Sequence, residues 1–264
     1  MADNTPAVSV QQYLRGGAVE NRIEDLLGKR APQFISTLMQ IVNNNVALQA
    51  CDPKTIVSAA ITAASMDLPI NPNLGFAYII PYNKNKKTKN EKGMVVWVKE
   101  PAIAQFQMGY KGFVQLAQRS GHYKTINTTE VREGEIESID RLSGEIQFSF
   151  EADEKARLQL PIIGYIAYFK LSTGFEKMLY MTVDEVNAHA KKYSQSYKTG
   201  YGQWVDNFDA MASKTVLKLL ISRFGPMSTQ MQEAILADQG AGNEDGVTYV
   251  DNDKSIHDND EVTE

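Results

Sequence analysis

Apolar positions along this chain recur with two different periods, and the change of period divides it into three stretches. Between about residues 21 and 48 the stride is helical: Ile23, Leu26 and Leu27, then Phe34, Leu38, Ile41 and Val42. Such three- and four-residue intervals line one face of a helix. Pro32 predicts the first turn of the second of these helices, where its missing N–H costs nothing. Asp52-Pro53 predicts another start, with the carboxylate as N-cap, for a helix reaching about Met66. Its Ala59, Ala60, Ala63 and Ala64 favour close helix contact. The composition of residues 67–73 is that of a loop. Beyond it the reading becomes strand-like, over 76–82, 94–99, 123–131, 146–150, 162–171 and 177–181. Turns are predicted at Leu142-Ser143-Gly144 and at Ser172-Thr173-Gly174. Thr182 and Glu185 have capping-box spacing and predict a helix to about Tyr193. Asp206 or Asn207 is placed to cap a helix reaching Arg223, ended by Gly225-Pro226. Ser228 opens a last short helix to about Ala237. Helices, then a strand cluster, then helices predict an α+β fold, a small antiparallel sheet with hairpins packed against helices.

Charge changes the picture at the C-terminus. The 264 residues carry a net −5, but residues 238–264 hold nine acidic side chains against Lys254 alone. The tail is therefore −8 and the remaining body +3. With one aromatic (Tyr249) and many Asn, Asp and Gly residues, the tail predicts disorder, because it has little apolar surface to offset ordering entropy. An acidic tail on a basic body competes with nucleic acid, recruits a basic partner or only aids solubility. The first 20 residues are polar, lack a clear period, and are read as an arm, disordered or ordered by a neighbouring subunit. The expected division is thus 1–20 arm, 21–237 working domain, 238–264 tail. Cys51 is the only cysteine, so an intrachain disulfide and a multi-cysteine zinc site are excluded, as suits a reducing cytoplasm. His122, His189 and His257 have no metal-ligand spacing. No apolar run has membrane-spanning length, and the first residues lack the regions of a signal peptide.

Two stretches carry candidate chemistry. Residues 107–121 combine cations, aromatics and glycines on what reads as one amphipathic helix. Phe113, Leu116, Ala117 and Ser120 mark its buried face; Lys111, Gln115, Gln118 and Arg119 lie off it. Gly109 and Gly112 cost about 1 kcal/mol each inside a helix, so they mark its start or a close backbone approach. In the second stretch, 191–223, Lys191, Lys192, Lys198, Lys214, Lys218 and Arg223 alternate with Tyr193, Tyr197, Tyr201, Trp204 and Phe208. Lys214 and Lys218, four apart, share a helix face. Cations interleaved with rings suit single-stranded nucleic acid, whose phosphates are neutralised while its bases stack. The plainer alternative puts Trp204 and Phe208 in the core and the lysines in water. A third feature is the basic loop 83–93, in which Lys84, Lys86, Lys87, Lys89 and Lys92 face one acid, Glu91. It reads as a cationic hairpin tip with salt-dependent attraction for phosphates, or as a solvated loop protected against aggregation.

Gly109-Tyr110-Lys111-Gly112-Phe113, followed by Leu116-Ala117 and Arg119-Ser120-Gly121, resembles the signature of the RecT family of phage recombinases. So does Phe208-Asp209-Ala210-Met211-Ala212-Ser213-Lys214-Thr215. So does the order of an Ala-rich helix, Gly75-Phe76-Ala77-Tyr78-Ile79-Ile80-Pro81-Tyr82, a variable basic loop and then the first motif. The resemblance covers about residues 20–237. It implies a Rad52- and Red-beta-like annealing core. It also implies ATP-independent annealing of complementary single DNA strands by a homo-oligomer, as rings or helical filaments, in the cytoplasm of a bacterial host. Implied partners are single-stranded DNA and the annealed duplex, a 5′→3′ exonuclease and host single-strand-binding protein. No membrane is involved, and no cofactor is required, although Mg²⁺ stimulation stays open. The expected DNA contacts are Gln107, Tyr110, Lys111, Arg119, Lys124, Lys191, Lys192, Lys198, Trp204, Lys214, Lys218 and Arg223, with the basic loop as an auxiliary. The family often has a further cation where this chain has Gln118, which weakens the expectation at Arg119.

Two rival classes remain. A P-loop ATPase is disfavoured, because Ser213 stands where the glycine before Lys214-Thr215 is required. Asp153-Glu154-Lys155 fits a short D-x-K fragment of a metal-dependent nuclease, although a solvated turn explains it as well. A passive single-strand-binding scaffold would share every feature of an annealer except accelerated pairing.

Overall fold

The computed structural model describes residues 9–83, 85–89, 94–99, 101–194, 197, 198, 200, 202–239, 241–243 and 246–248. They form two compact units, one of the residues up to Gly112 together with Leu236–Val247, the other spanning Phe113–Ile235.

The first unit opens with helices where the sequence suggested a polar arm. Helix α1 (Val10–Leu14) has a full capping box from Ser9 and Gln12 and buries Val10 and Leu14. Helix α2 (Gly17–Leu27) buries Ile23 and Leu27. The arm reading missed α1 because a helix of five residues is too short to display a period. Helices α3 (Ala31–Asn43) and α4 (Val46–Gln49) follow, α3 with Pro32 in its first turn as expected. Asp52 caps α5 (Pro53–Ser65) by accepting from the Lys54 N–H. All four alanines of that helix are buried. They face strands β1 (Ala77–Tyr82) and β4 (Ile103–Met108), which pair antiparallel with Ala77 opposite Met108. Thr55 Oγ1 ties helix to sheet by accepting from the Ala104 N–H at 2.9 Å.

Strand β4 corrects two expectations. It supplies the partner of β1, and it places Gln107 on a strand rather than on the motif helix. Its alternation, with Ala104, Phe106 and Met108 buried, was the overlooked signal. The basic loop also differs from a bare tip: β2 (Asn85–Lys89) and β3 (Val95–Lys99) pair as a ribbon, Lys87 opposite Trp97. Lys84 and Lys92 lie outside the described residues. The tail reading needs correction at its start: helix continues to Gln239, and β10 (Ala241–Asn243) and β11 (Gly246–Thr248) form a short ribbon. The rest of the tail lies outside the described residues.

The second unit is a three-stranded antiparallel sheet in the order β5 (Tyr123–Arg132), β8 (Ile162–Leu171), β9 (Glu176–Thr182). Motif helix α6 (Tyr110–Arg119) puts Phe113, Leu116 and Ala117 fully inside. A ribbon of β6 (Ile136–Asp140) and β7 (Glu145–Phe148) and a single turn of helix, α7 (Glu154–Arg157), separate β5 from β8. Neither β6 nor α7 was foreseen. The D-x-K fragment is the start of α7: Asp153 accepts from the Lys155 N–H at 3.0 Å as an N-cap. Helix α8 (Val183–Tyr193) has the predicted capping box from Thr182 and Glu185. After the short α9 (Gln203–Asp206), the long α10 (Phe208–Phe224) packs on β8, β9 and β5. Asn207 precedes α10 but makes no capping bond; its Nδ2 donates to Gln203 Oε1 instead. The last helix, α11 (Thr229–Gln239), starts after Ser228, whose hydroxyl accepts from the Met231 N–H.

An internal ion-pair cluster fixes the ribbon. Arg157 Nε meets Glu135 Oε1 at 2.5 Å, and Arg132 bonds Glu130 Oε1 and the Leu158 and Leu160 carbonyls. Burial pushes the Glu135 carboxyl upward. Hydrogen bonds from the Arg157 side chain and the Arg132 N–H, with the Arg157 charge, outweigh that and hold it below the usual range.

Candidate nucleic-acid interface

The first motif is built by backbone contact. The Gly109 N–H donates to the Phe76 carbonyl at 2.8 Å. A Cβ on Gly109 would overlap the Gly75 carbonyl oxygen, and one on Gly112 would overlap the Phe76 carbonyl oxygen. The close approach inferred from these glycines is therefore to the chain's own Gly75-Phe76 turn. Gly75 itself has φ +78°, a left-handed conformation that glycine adopts without strain. With the α6 N-terminus seated in this way, Tyr110 is half-buried and Lys111 is exposed. A Cβ on Gly75 would stand 3.6 Å from Lys111 Cδ, so the lysine stem lies along the turn. Arg119 is exposed in the last turn of the same helix. Gln107 is half-buried on β4, opposite Tyr78. One partner was invisible in sequence: the Asp238 carboxylate accepts from the Met108 N–H at 2.9 Å, although Asp238 was counted with the tail.

The second motif is built by side chains. Asp209 accepts from the Tyr165 hydroxyl at 2.5 Å, tying the first turn of α10 to β8. Burial, and then this bond, push the Tyr165 phenol well above its ordinary range. Ala212 and Thr215 are buried, and Thr215 Oγ1 donates to the Met211 carbonyl. Lys214 and Lys218 are half-buried one turn apart, and Arg223 is exposed in the last turn.

Between α8 and α10 the rings form a ladder. Tyr197 meets Trp204 edge-on at 6.1 Å, Trp204 meets Phe208 at 5.9 Å, and Phe208 meets Tyr165 at 6.1 Å. Trp204 is only 6% exposed. Little of its ring is therefore open to stack on a base. The cations at this end do gather. Lys191 and Lys192 are exposed in the last turn of α8, where they also complement the helix dipole. Lys198 donates to the Lys192 carbonyl at 3.3 Å, and Lys192 Nζ stands 4.9 Å from the Tyr193 ring centre. Lys198 spends one of three donors there, which leaves two for another acceptor. Lys124 is exposed at the irregularity where the β5–β8 register shifts. Of the auxiliary loop, Lys86, Lys87 and Lys89 lie on β2.

The model of the RecT family matches residues 32–254, most of the chain and both motifs. The chain belongs to the RecT family. It is 40% identical over 228 residues to the uncharacterized protein YqaK of Bacillus subtilis, covering 86% of this chain and 71% of that one. It is 29% identical over 203 residues to protein RecT of Escherichia coli, covering 73% of this chain and 65% of that one, just under two thirds of its length. RecT-family membership ties the chain to phage-type recombination and annealing, a family without known catalytic chemistry. In this RecT-family chain the motif glycines, Asp209, Ala212 and Thr215 have folding tasks, and the exposed positions in or beside the motifs include the cations Lys111, Arg119 and Arg223. Among the described residues, no group of three or more His, Cys, Asp or Glu side chains is arranged to hold a metal. No helix among them is long and apolar enough to cross a membrane.

Proposed function

We propose that the chain binds single-stranded DNA through its motif cations and pairs it with a complementary strand without ATP, as a homo-oligomer in a bacterial cytoplasm. The observation that carries this reading is the family match across both motifs, the first of which exposes the cations Lys111 and Arg119 on α6. Lys191, Lys192 and Lys198 at the end of α8, Lys124, and Lys214, Lys218 and Arg223 on α10 supply further charge for phosphates. Tyr110 is the aromatic candidate for a base or sugar, and Gln107 a hydrogen-bonding one. Pairing needs no fuel, because new base pairs drive it. A Rad52- and Red-beta-like core, and a 5′→3′ exonuclease and host single-strand-binding protein as partners, belong to this reading as the family resemblance implies them. The nuclease alternative loses support because the Asp153 carboxylate has a capping task.

The test mixes the protein with one dye-labelled oligonucleotide and adds its complement, without ATP. Accelerated pairing that salt weakens and non-complementary strands do not show supports the annealer. Binding without acceleration leaves a passive scaffold. Strand shortening with Mg²⁺ overturns the annealer and favours the nuclease. The acidic tail is tested by truncation after Gln239 rather than Ala237, because removing Asp238 would orphan the Met108 N–H. If the tail competes with phosphate, truncation tightens DNA binding; unchanged affinity removes it from the site.

A further inference from the structure

The β6–β7 ribbon differs in character from the cationic motif positions. Leu142 at its tip is 97% exposed and Ile139 52% exposed, with Phe150 and Leu158 also open to solvent. Residues 136–151 carry Glu137, Asp140, Glu145 and Glu151 against Arg141 alone, and Lys177 and Arg157 reach the ribbon from elsewhere in the chain, so its own residues are acidic. Asp140 and Glu145 are direct cross-strand partners, a like-charge juxtaposition that destabilises an isolated ribbon. Yet the ribbon is firmly held. Asp140 accepts from the Leu142 N–H and the Ser143 hydroxyl, Lys177 Nζ donates to the Ser143 carbonyl at 2.7 Å, and Phe148 stacks on Phe150 at 5.3 Å. An ordered, exposed, apolar and acidic surface suits a partner that is apolar and basic.

This chain carries such a partner in its own sequence. The β2–β3 ribbon holds Lys86, Lys87 and Lys89 on one strand and Val95-Val96-Trp97-Val98 on the other. We propose that the acidic β6–β7 ribbon docks the lysine-rich β2–β3 ribbon of a second copy of this chain. The two surfaces differ, so the contact is head-to-tail and propagates into a ring or an open filament according to whether its rotation closes. The proposal rests on the annealing reading for its need of an oligomer, and it gives the basic ribbon a protein partner in place of DNA.

The experiment is charge exchange, read as particle mass in solution without DNA. One variant carries Glu137→Lys with Glu145→Lys, a second carries Lys86→Glu with Lys87→Glu, and a third combines all four. Each single set is expected to raise the concentration needed for assembly by roughly tenfold or more, and the combination to restore it. Circular dichroism confirms that each variant folds. Assembly unchanged by either set, or not restored by the combination, overturns the contact and leaves the acidic ribbon to a different protein. Wild-type chain that anneals strands as a monomer overturns the docking and the homo-oligomer, while ATP-independent annealing itself stands. Charge-dependent assembly without annealing does the reverse.

Discussion

In the first motif helix, the two glycines are required because carbonyl oxygens of Gly75 and Phe76 occupy the space that any Cβ would need. In the second, the corresponding anchor is a carboxylate, Asp209, on a phenol, Tyr165. Both motifs therefore fix a helix N-terminus against another segment of its own surroundings, one through backbone and one through a side-chain hydrogen bond. Backbone packing tolerates no substitution. A hydrogen bond between side chains can be removed from both ends. The difference teaches that a family signature marks the hardest positions to replace, whether or not they touch a ligand.

The sharpest break of this comparison is Gly109→Ala. The clash is with backbone, which cannot swing aside as a long side chain can, so a loss above about 4 kcal/mol is expected. Thermal melting and soluble yield would show it; a variant that melts like the parent would refute the packing account. Asp209→Ala should cost less, about 1–3 kcal/mol, because it leaves a buried hydroxyl without its acceptor. Urea denaturation of Asp209→Ala, Tyr165→Phe and the double variant should give a double-variant loss smaller than the sum.

Alkaline pH sharpens the contrast further. The folded-state pKa of Tyr165 is raised by burial and by Asp209 above its ordinary value near 10. A raised acid keeps its stabilisation below the unfolded pKa and loses it as pH climbs toward the folded one. Stability should thus fall above about pH 10, and Tyr165→Phe should blunt that fall. Burial raises Tyr123 to about 12, so part of the fall persists in the variant. The glycine contacts of the first motif contain no titrating group and contribute nothing to this slope. The smallest effects belong to the cations. Lys111→Ala and Lys214→Ala should each weaken DNA binding evenly across sequences and reduce the salt slope by about one. An unchanged slope removes that lysine from the interface.

Much of the fold was legible where local chemistry decides it. Asp52-Pro53, Thr182 with Glu185, and the turns at 142–144 and 172–174 act within a few residues, and each lies where its pattern put it. The misses are of another kind. Helices α1 and α7 are too short for a period to register, and strand β6, with Glu137, Ser138 and Asp140 among its five residues, lacks an apolar alternation. Strand β4 was absorbed into the motif helix because Gln107 and Met108 look equally at home in either. At the candidate interface, exposure of Lys111 and Arg119 agrees with the polar face read off the sequence. The burial of Trp204 was not decidable there, since an aromatic among lysines serves a base and a core equally well.

By itself, then, the sequence determined the two motifs, the cationic body with its acidic tail, and most element boundaries, because capping, turn formation and helical stride are local. Only the tertiary structure decided that Gly109 and Gly112 answer to Gly75 and Phe76, that Asp209 holds Tyr165, that Asp238 holds the end of β4, and that Trp204 faces inward. Those pairings join positions 34 to 130 residues apart. Which carbonyl fills the space beside a glycine, or which hydroxyl meets a carboxylate, is set by how whole elements pack, and no local propensity encodes it.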